Sequence, residues 1–204
     1  MKHLKVFESF SEIDSICNEL GISGYSVNSD GSVDVNDDVN ISNIGLKKIP
    51  LKFGKIYGSF DCCRNKLTTL EGAPIEVDGY FDCSENKLIT LEGGPTRVIN
   101  DFYCTYNKLT SLKGSPIEVG DEFWCYDNQL ISLDGSPIEI GGDFHCERNP
   151  IWEVYNLFPD YKSYIDSLDY GYLRGTSIVK VRFKEALDEV GIEIPDKIKG
   201  WRYI

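Results

Sequence analysis

Phe81-Asp82-Cys83-Ser84-Glu85-Asn86 is one copy of the motif that decides the fold of this 204-residue chain. The pattern Phe-x-Cys-x-x-Asn begins again at Phe60, Phe102, Phe123 and Phe144, so the copies follow one another at a constant step of 21 residues. No insertion interrupts this register. A fixed period of this length is typical of a repeat protein, in which each unit buries its apolar edge by stacking on its neighbours.

Each recurring position has a predicted role. The Phe and Cys, two residues apart, are expected to face the core of a short parallel strand. The Asn can bond backbone groups of the following bend. A Gly followed two places later by Pro, as in Gly93 and Pro95, leaves no room for a helix, so the return arm should be extended. A left-handed turn is expected just before the strand, at Gly58, Gly79, Asn100, Asp121 and Gly142.

The pattern Phe81-x-Cys83-x-x-Asn86-x-Leu88-x-x-Leu91 resembles the core of a leucine-rich repeat, with Phe and Cys at two leucine places. The short period is similar to bacterial and bacteriophage forms, and the cysteines are most similar to those of tailed-phage repeat proteins. The resemblance implies an α/β leucine-rich-repeat solenoid with short parallel strands and an extended convex side. In one departure, the apolar residue before the strand is expected one place earlier than usual, at Ile56, Val77, Val98, Val119 and Ile140.

Three regions are predicted along the chain. Residues 1–38 form an N-terminal cap, with an amphipathic helix over 9–20 that Ser9 or Ser11 caps, followed by a β-hairpin. Residues 39–154 form the repeats, of which 39–57 is a degenerate first copy. Residues 155–204 form a C-terminal helical cap, with helices over 161–173 and 177–190 and a tail that folds back on them.

Composition limits the classes of function. An apolar content of 41% favours a folded chain, and the absence of a signal-length or membrane-spanning apolar run leads us to expect a cytoplasmic protein without a membrane partner. The net charge is -12, and residues 58–149 hold -9 of it, with 16 acidic against 7 basic side chains. The negative electrostatic field of these residues should repel nucleic acid and attract basic partners.

The cysteines are predicted to be core residues. Five of the seven recur at the strand position of the repeats, where their Cβ vectors run parallel along the stack: Cys62, Cys83, Cys104, Cys125 and Cys146. A buried Cys behaves as a small hydrophobe, and no pair has the two-to-four-residue spacing of a structural zinc site. The sequence therefore predicts no disulfide ladder, no metal and no cofactor.

The outward strand positions carry the candidate site. If Phe and Cys point inward, the residues beside them point outward onto the concave sheet. The middle column reads Asp61, Asp82, Tyr103, Trp124 and His145. Large exposed aromatics among carboxylates are typical of a binding face. The predicted partner-binding residues are Asp61, Tyr80, Asp82, Asp101, Tyr103, Glu122, Trp124, Tyr126, Asp143, His145 and Glu147.

No catalytic site is predicted. Cys146 lies next to His145, but alternation along a strand sends the thiol inward and the imidazole outward, so the two cannot act as a pair. His3 falls in an N-terminal segment that is expected to fray. The sequence contains no Gly-rich phosphate loop, nucleophile elbow or His-metal motif.

These features favour a non-enzymatic module that binds a basic or mixed-charge protein, with Trp124, Tyr103 and Tyr126 as anchors. The phage resemblance implies a host protein, of a defence system for example, as the partner. One alternative is an acidic nucleic-acid mimic that inhibits a DNA-binding protein. Another is a virion or assembly component, and the oligomeric state stays open.

Overall fold

The computed structural model describes residues 10–167, 173–174 and 177–204. Its first elements are helix α1, Phe10–Glu19, and an antiparallel hairpin of strands β1, Tyr25–Val27, and β2, Val33–Val35. The helix and the hairpin are where the sequence predicted them, and the chain turns after each with positive φ, at Gly21 beyond the helix and at Gly31 within the hairpin. The proposed cap Ser9 and His3 lie outside the described residues.

After the hairpin, the chain forms two sheets of short parallel strands that recur every 21 residues. The six-stranded sheet contains β3, Val39–Asn40; β5, Phe60–Asp61; β7, Phe81–Asp82; β9, Phe102–Tyr103; β11, Phe123–Trp124; and β13, Phe144–His145. Each residue pairs with the one 21 places later, as Phe81 does with Phe102. The fold is therefore α/β, with many short parallel strands.

The second sheet begins with the hairpin and continues one strand per repeat. It adds β4, Phe53–Ile56; β6, Glu76–Val77; β8, Arg97–Val98; β10, Glu118–Val119; and β12, Glu139–Ile140, to make seven strands. The return arm is therefore extended, as predicted, and part of it forms hydrogen-bonded β-strands. The apolar residues shifted by one place occupy these strands, and all but Ile140 are fully buried.

The core is a set of columns along the stack. Phe60, Phe81, Phe102, Phe123 and Phe144 stack face to face, with ring centroids 5.1–5.6 Å apart. The five repeat cysteines are fully buried beside them, as are the two leucines of each regular repeat. Burial of each Phe contributes about 2–3 kcal/mol relative to leaving the ring in water. The prediction that Phe and Cys point into the core is confirmed.

The asparagines tie neighbouring repeats together. Asn86 donates from Nδ2 to the carbonyl oxygens of Cys62, Cys83 and Ser84, each at 3.1 Å, and its Oδ1 accepts the Leu67 N–H at 2.9 Å. The same bonds recur at Asn107 and Asn128. These contacts satisfy backbone groups that would be buried without partners, as predicted.

The left-handed turn before the strand is the prediction that was wrong. None of the five predicted residues has positive φ: Gly58, Gly79, Asn100, Asp121 and Gly142. Gly79 is needed for close packing, because a Cβ there would lie 2.8 Å from the Ser59 backbone nitrogen. The left-handed residues instead directly precede the repeat asparagines, at Arg64, Glu85, Tyr106, Asp127 and Arg148, and Asn43 has the same conformation at the equivalent place before Ile44.

The C-terminal region is less helical than predicted. It contains helices α2, Trp152–Tyr155; α3, Tyr161–Ser167; and α4, Lys180–Glu189, together with strands β14, Leu173–Arg174; β15, Ser177–Ile178; and β16, Arg202–Tyr203. The predicted helix over 177–190 begins three residues later, because Ser177 and Ile178 are buried in a three-stranded sheet and Val179 is extended. The tail folds back as β16, parallel to β15. Residues 168–172 of the other predicted helix lie outside the described part.

The ends of the Phe column are covered. At the N-terminal end, Phe53 packs its ring edge-on against Phe60 at 5.1 Å. At the C-terminal end, Phe144 contacts Tyr155 at 5.6 Å and Tyr161 at 4.7 Å. The apolar edge of the last repeat therefore packs against α2 and α3 and is shielded from water.

Candidate functional site

The parallel register brings the middle column of predicted site residues together. Asp61 pairs with Asp82, Asp82 with Tyr103, Tyr103 with Trp124, and Trp124 with His145. Each is the second residue of its strand and is half-buried, whereas the Phe before it is buried. Adjacent strands lie about 4.8 Å apart, so side chains of this column contact one another directly.

Three rings form a stack that we call the aromatic column: Tyr103, Trp124 and His145. The Tyr103 and Trp124 centroids are 6.2 Å apart with planes 23° from parallel, and those of Trp124 and His145 are 3.7 Å apart at 19°. Tyr80 packs edge-on against Tyr103 at 6.2 Å, and Tyr126 against Trp124 at 5.9 Å. Trp124 therefore lies at the centre of the cluster.

Tyr106 extends this cluster and was not among the predicted residues. Its ring lies 5.4 Å from that of Tyr126, edge to face, and the residue is exposed. It occupies the left-handed position before Asn107, with φ 53°. A tyrosine at a position of this kind is uncommon, and the conformation could not be read from its residue type.

A column of acidic residues orients the rings. Asp101, Glu122 and Asp143 precede the Phe of successive strands. The Tyr103 hydroxyl donates to Asp101 Oδ2 at 2.9 Å, and Trp124 Nε1 donates to Glu122 Oε2 at 2.9 Å. Burial and the bond to Asp101 raise the pKa of Tyr103, so the hydroxyl stays a donor at neutral pH.

The N-terminal half of the column is acidic rather than aromatic. Asp61 Oδ1 accepts the Cys63 N–H at 3.0 Å and Asp82 Oδ1 accepts the Ser84 N–H at 2.8 Å. Burial, opposed by the Ser84 bonds and assisted by the like charge of Asp61, raises the pKa of Asp82. Cys63 is half-buried, and burial together with the Asp61 carboxylate raises its pKa to about 12, which keeps the thiol protonated.

Of the other positions expected to point outward, Ser84 and Thr105 are buried, at 8% and 5% exposure. Asp143 is exposed and Glu147 is half-buried. Tyr80 is 37% exposed. The face available to a partner is therefore narrower than the sequence suggested, and it centres on the aromatic column.

His145 is held between acidic side chains as well as against Trp124. Its Nε2 lies 3.9 Å from Glu122 Oε2, and its Nδ1 lies 3.7 Å from Glu147 Oε1. Cys146 is fully buried, and burial raises the pKa of its thiol. The thiol is thus a core group and a poor nucleophile.

The carboxylates of this face form no ion pair with a described Lys or Arg. We call Asp61, Asp82, Asp101, Glu122, Asp143 and Glu147 the face carboxylates. Across the described residues, no Lys or Arg forms an ion pair with any of them. The arginines of the repeats pair elsewhere, such as Arg148 with Asp127 at 2.7 Å and Arg97 with Glu118 at 2.9 Å.

Two groups of side chains have the composition of metal ligands. They are Asp61, Cys63 and Asp82, and Glu122, Asp143 and His145; within each group one ligand atom per residue lies within 4.8 Å of the others. The spacing rule for zinc motifs missed both groups, because their members come from neighbouring strands. The repeat register was the signal that could have located them.

The chain matches no protein-family model, no curated protein and no solved structure. Among the described residues, no helix has the length and apolarity needed to cross a membrane.

Proposed function

We propose that this chain is a leucine-rich-repeat solenoid that binds a protein partner without catalysing a reaction. The partner, of basic or mixed charge, would dock on the outward face of the six-stranded sheet, which we take as the concave side. The observation that carries the proposal is the aromatic column of Tyr103, Trp124 and His145, set among face carboxylates that form no ion pair with a described Lys or Arg.

The solenoid assignment is supported by the register and the asparagine bonds. Every strand of the six-stranded sheet follows its neighbour by 21 residues, and each regular repeat donates an Asn to the backbone of the repeat before it. Repeat proteins of this type commonly bind through the extended surface formed by stacked strands. The sheet face is therefore the first place to expect a partner.

The aromatic side chains are suited to act as anchors because they are already ordered. Trp124 is fixed by rings on both sides and by its bond to Glu122. Ordering a large side chain before binding lowers the entropy cost of association. Trp and Tyr are also the residues that most often dominate binding energy at interfaces.

The face carboxylates set the charge preference of the partner. A local field of one sign accelerates encounter with a molecule of opposite charge and weakens as salt is added. A Lys or Arg of the partner could lie over the Trp124 or Tyr103 ring and pair with Glu122 or Asp101. The resemblance to phage repeat proteins makes bacterial host proteins the first candidates to test.

The experiment is affinity capture from bacterial lysate with three baits: wild type, Tyr103→Ala/Trp124→Ala and Tyr57→Ala. Tyr57 is 51% exposed, lies outside the six-stranded sheet and serves as the matched aromatic control. We expect one protein to be recovered by wild type and Tyr57→Ala but not by the double variant. Recovery of the same protein by all three folded baits would refute the proposed face.

The alternatives make different predictions in the same system. A nucleic-acid mimic should capture a DNA-binding protein, tolerate loss of the aromatic side chains and release its partner steeply with salt. An assembly component should self-associate at micromolar concentration, which sedimentation would detect. The central position of Trp124 favours the aromatic interface over the mimic.

A further inference from the structure

We propose that Glu122, Asp143 and His145 form a binding site for a divalent transition-metal cation such as Zn²⁺. Glu122 and Asp143 directly precede β11 and β13, and His145 ends β13. One ligand atom from each lies within 4.8 Å of the other two. These residues also belong to the proposed binding face, but all three ligands come from this chain, so the site needs no protein partner.

The imidazole of His145 has one nitrogen that is free to bind a metal ion. Its Nε2 is buried and makes no hydrogen bond within the described residues, and it lies 3.9 Å from Glu122 Oε2. A buried polar atom without a partner is costly, and a cation between Nε2 and Glu122 would satisfy it. Stacking on Trp124 at 3.7 Å holds the ring in this orientation.

Outer contacts complete the arrangement. Glu147 Oε1 lies 3.7 Å from Nδ1 of His145, on the other side of the ring. Metal-binding histidines commonly direct their second nitrogen to a carboxylate, which fixes the tautomer. At strand β11, Trp124 Nε1 donates a hydrogen bond to Glu122 Oε2 at 2.9 Å and orients that carboxylate.

Charge and ligand type define the cation. Glu122, Asp143 and Glu147 carry three negative charges without a Lys or Arg ion pair among the described residues, so a dication would relieve their repulsion. Imidazole with carboxylates suits Zn²⁺ and its neighbours, whereas Mg²⁺ and Ca²⁺ prefer oxygen alone. Zinc–ligand bonds of about 2.1 Å require these ligand atoms to lie about 1.5 Å closer to one another than they do here. Rotation of the exposed Asp143 side chain can provide this approach.

The other group, Asp61, Cys63 and Asp82, is less suited. Both carboxylates already accept backbone N–H groups, from Cys63 and Ser84. The Cys63 thiol, with its pKa raised to about 12, would have to lose a firmly held proton to become a ligand. Cys63 is nevertheless replaced in the test, so that a thiol cannot account for binding.

The test uses ¹⁵N-histidine NMR of the full chain in a Cys63→Ser background, with Zn²⁺ as the probe. The chain has only two histidines, His3 and His145, and a His3→Gln change assigns the signals. We expect Zn²⁺ to shift the ring nitrogens of His145 at a ratio of one metal per chain, and Mg²⁺ at the same concentration to leave them unchanged.

Two variants of the site and one control variant complete the design. Asp143→Asn and Glu147→Gln should each weaken Zn²⁺ binding about tenfold or more, while Glu139→Gln, an exposed acid of β12, should bind as the parent does. Unshifted His145 nitrogens at saturating Zn²⁺, or undiminished affinity in folded Asp143→Asn, would overturn the proposal. Neither result bears on capture of a protein partner, so the two proposals fail separately.

Discussion

Asn107 shows how much of this structure depends on single polar residues. Its Nδ2 donates to the carbonyl oxygens of Cys83, Cys104 and Thr105, and its Oδ1 accepts the Leu88 N–H. The residue is 8% exposed, so water cannot replace these bonds. The sequence predicted this role, because an Asn at a constant place in every repeat suggests a backbone partner that also recurs.

Replacing Asn107 should therefore cost more than replacing a surface asparagine. We expect Asn107→Ala to lower the free energy of unfolding by about 2–4 kcal/mol, because several buried backbone groups lose their partner. Asn100→Ala, at an exposed position of the same repeat, should change it by less than about 0.5 kcal/mol. Urea denaturation followed by circular dichroism measures both. Equal effects would show that the asparagine bonds are not a main source of stability.

The cysteines give a second prediction at this scale. Six of the seven are buried and Cys63 is half-buried, with its pKa raised to about 12 by burial and by Asp61. Because a raised pKa means less thiolate at neutral pH, iodoacetamide at pH 8 should label only Cys63, and more slowly than a peptide thiol. Asp61→Asn should accelerate this labelling. Rapid labelling of several cysteines in the folded chain would contradict the buried column.

At the scale of secondary-structure elements, the pattern of apolar residues explains which strands could be predicted from the sequence. The strands of the six-stranded sheet could be predicted because Phe and Cys recur two residues apart in every regular repeat. The strands of the second sheet in the regular repeats carry one recurring apolar residue, such as Val77, rather than two in alternation, so the sequence indicated them only weakly. The left-handed residues were missed because types such as Arg64 and Glu85 rarely adopt that conformation.

The turn glycines test how tightly the repeats stack. Gly114 has φ 87°, and a Cβ there would lie 2.2 Å from the Glu92 backbone nitrogen, whereas Gly45 has φ 79° and no atom within 4 Å. Gly45→Ala should cost about 1–2 kcal/mol for the left-handed backbone alone. Gly114→Ala should cost at least about 1 kcal/mol more, because the backbone of the preceding repeat must move. Similar urea midpoints for the two variants would contradict this close approach.

At the scale of the whole molecule, the sequence predicted which outward residues lie side by side but not the contacts between them. The period alone aligned Tyr103, Trp124 and His145, because parallel strands in register bring equivalent positions side by side. The bond from Trp124 to Glu122 and the enclosure of His145 depend on rotamers that no pattern specifies. Strands β15 and β16 were missed because they pair with each other across a long sequence separation, as Ile178 does with Tyr203.

The most direct test of the proposed binding face is the affinity of the captured partner for Trp124→Ala, measured by calorimetry beside wild type and Tyr57→Ala. Loss of a central aromatic anchor costs about 2 kcal/mol or more, so Trp124→Ala should bind about 30-fold more weakly. Tyr57→Ala should match wild type, and added salt should weaken all three through the face carboxylates. If folded Trp124→Ala binds as tightly as wild type, the aromatic column is not the interface and the central proposal is wrong.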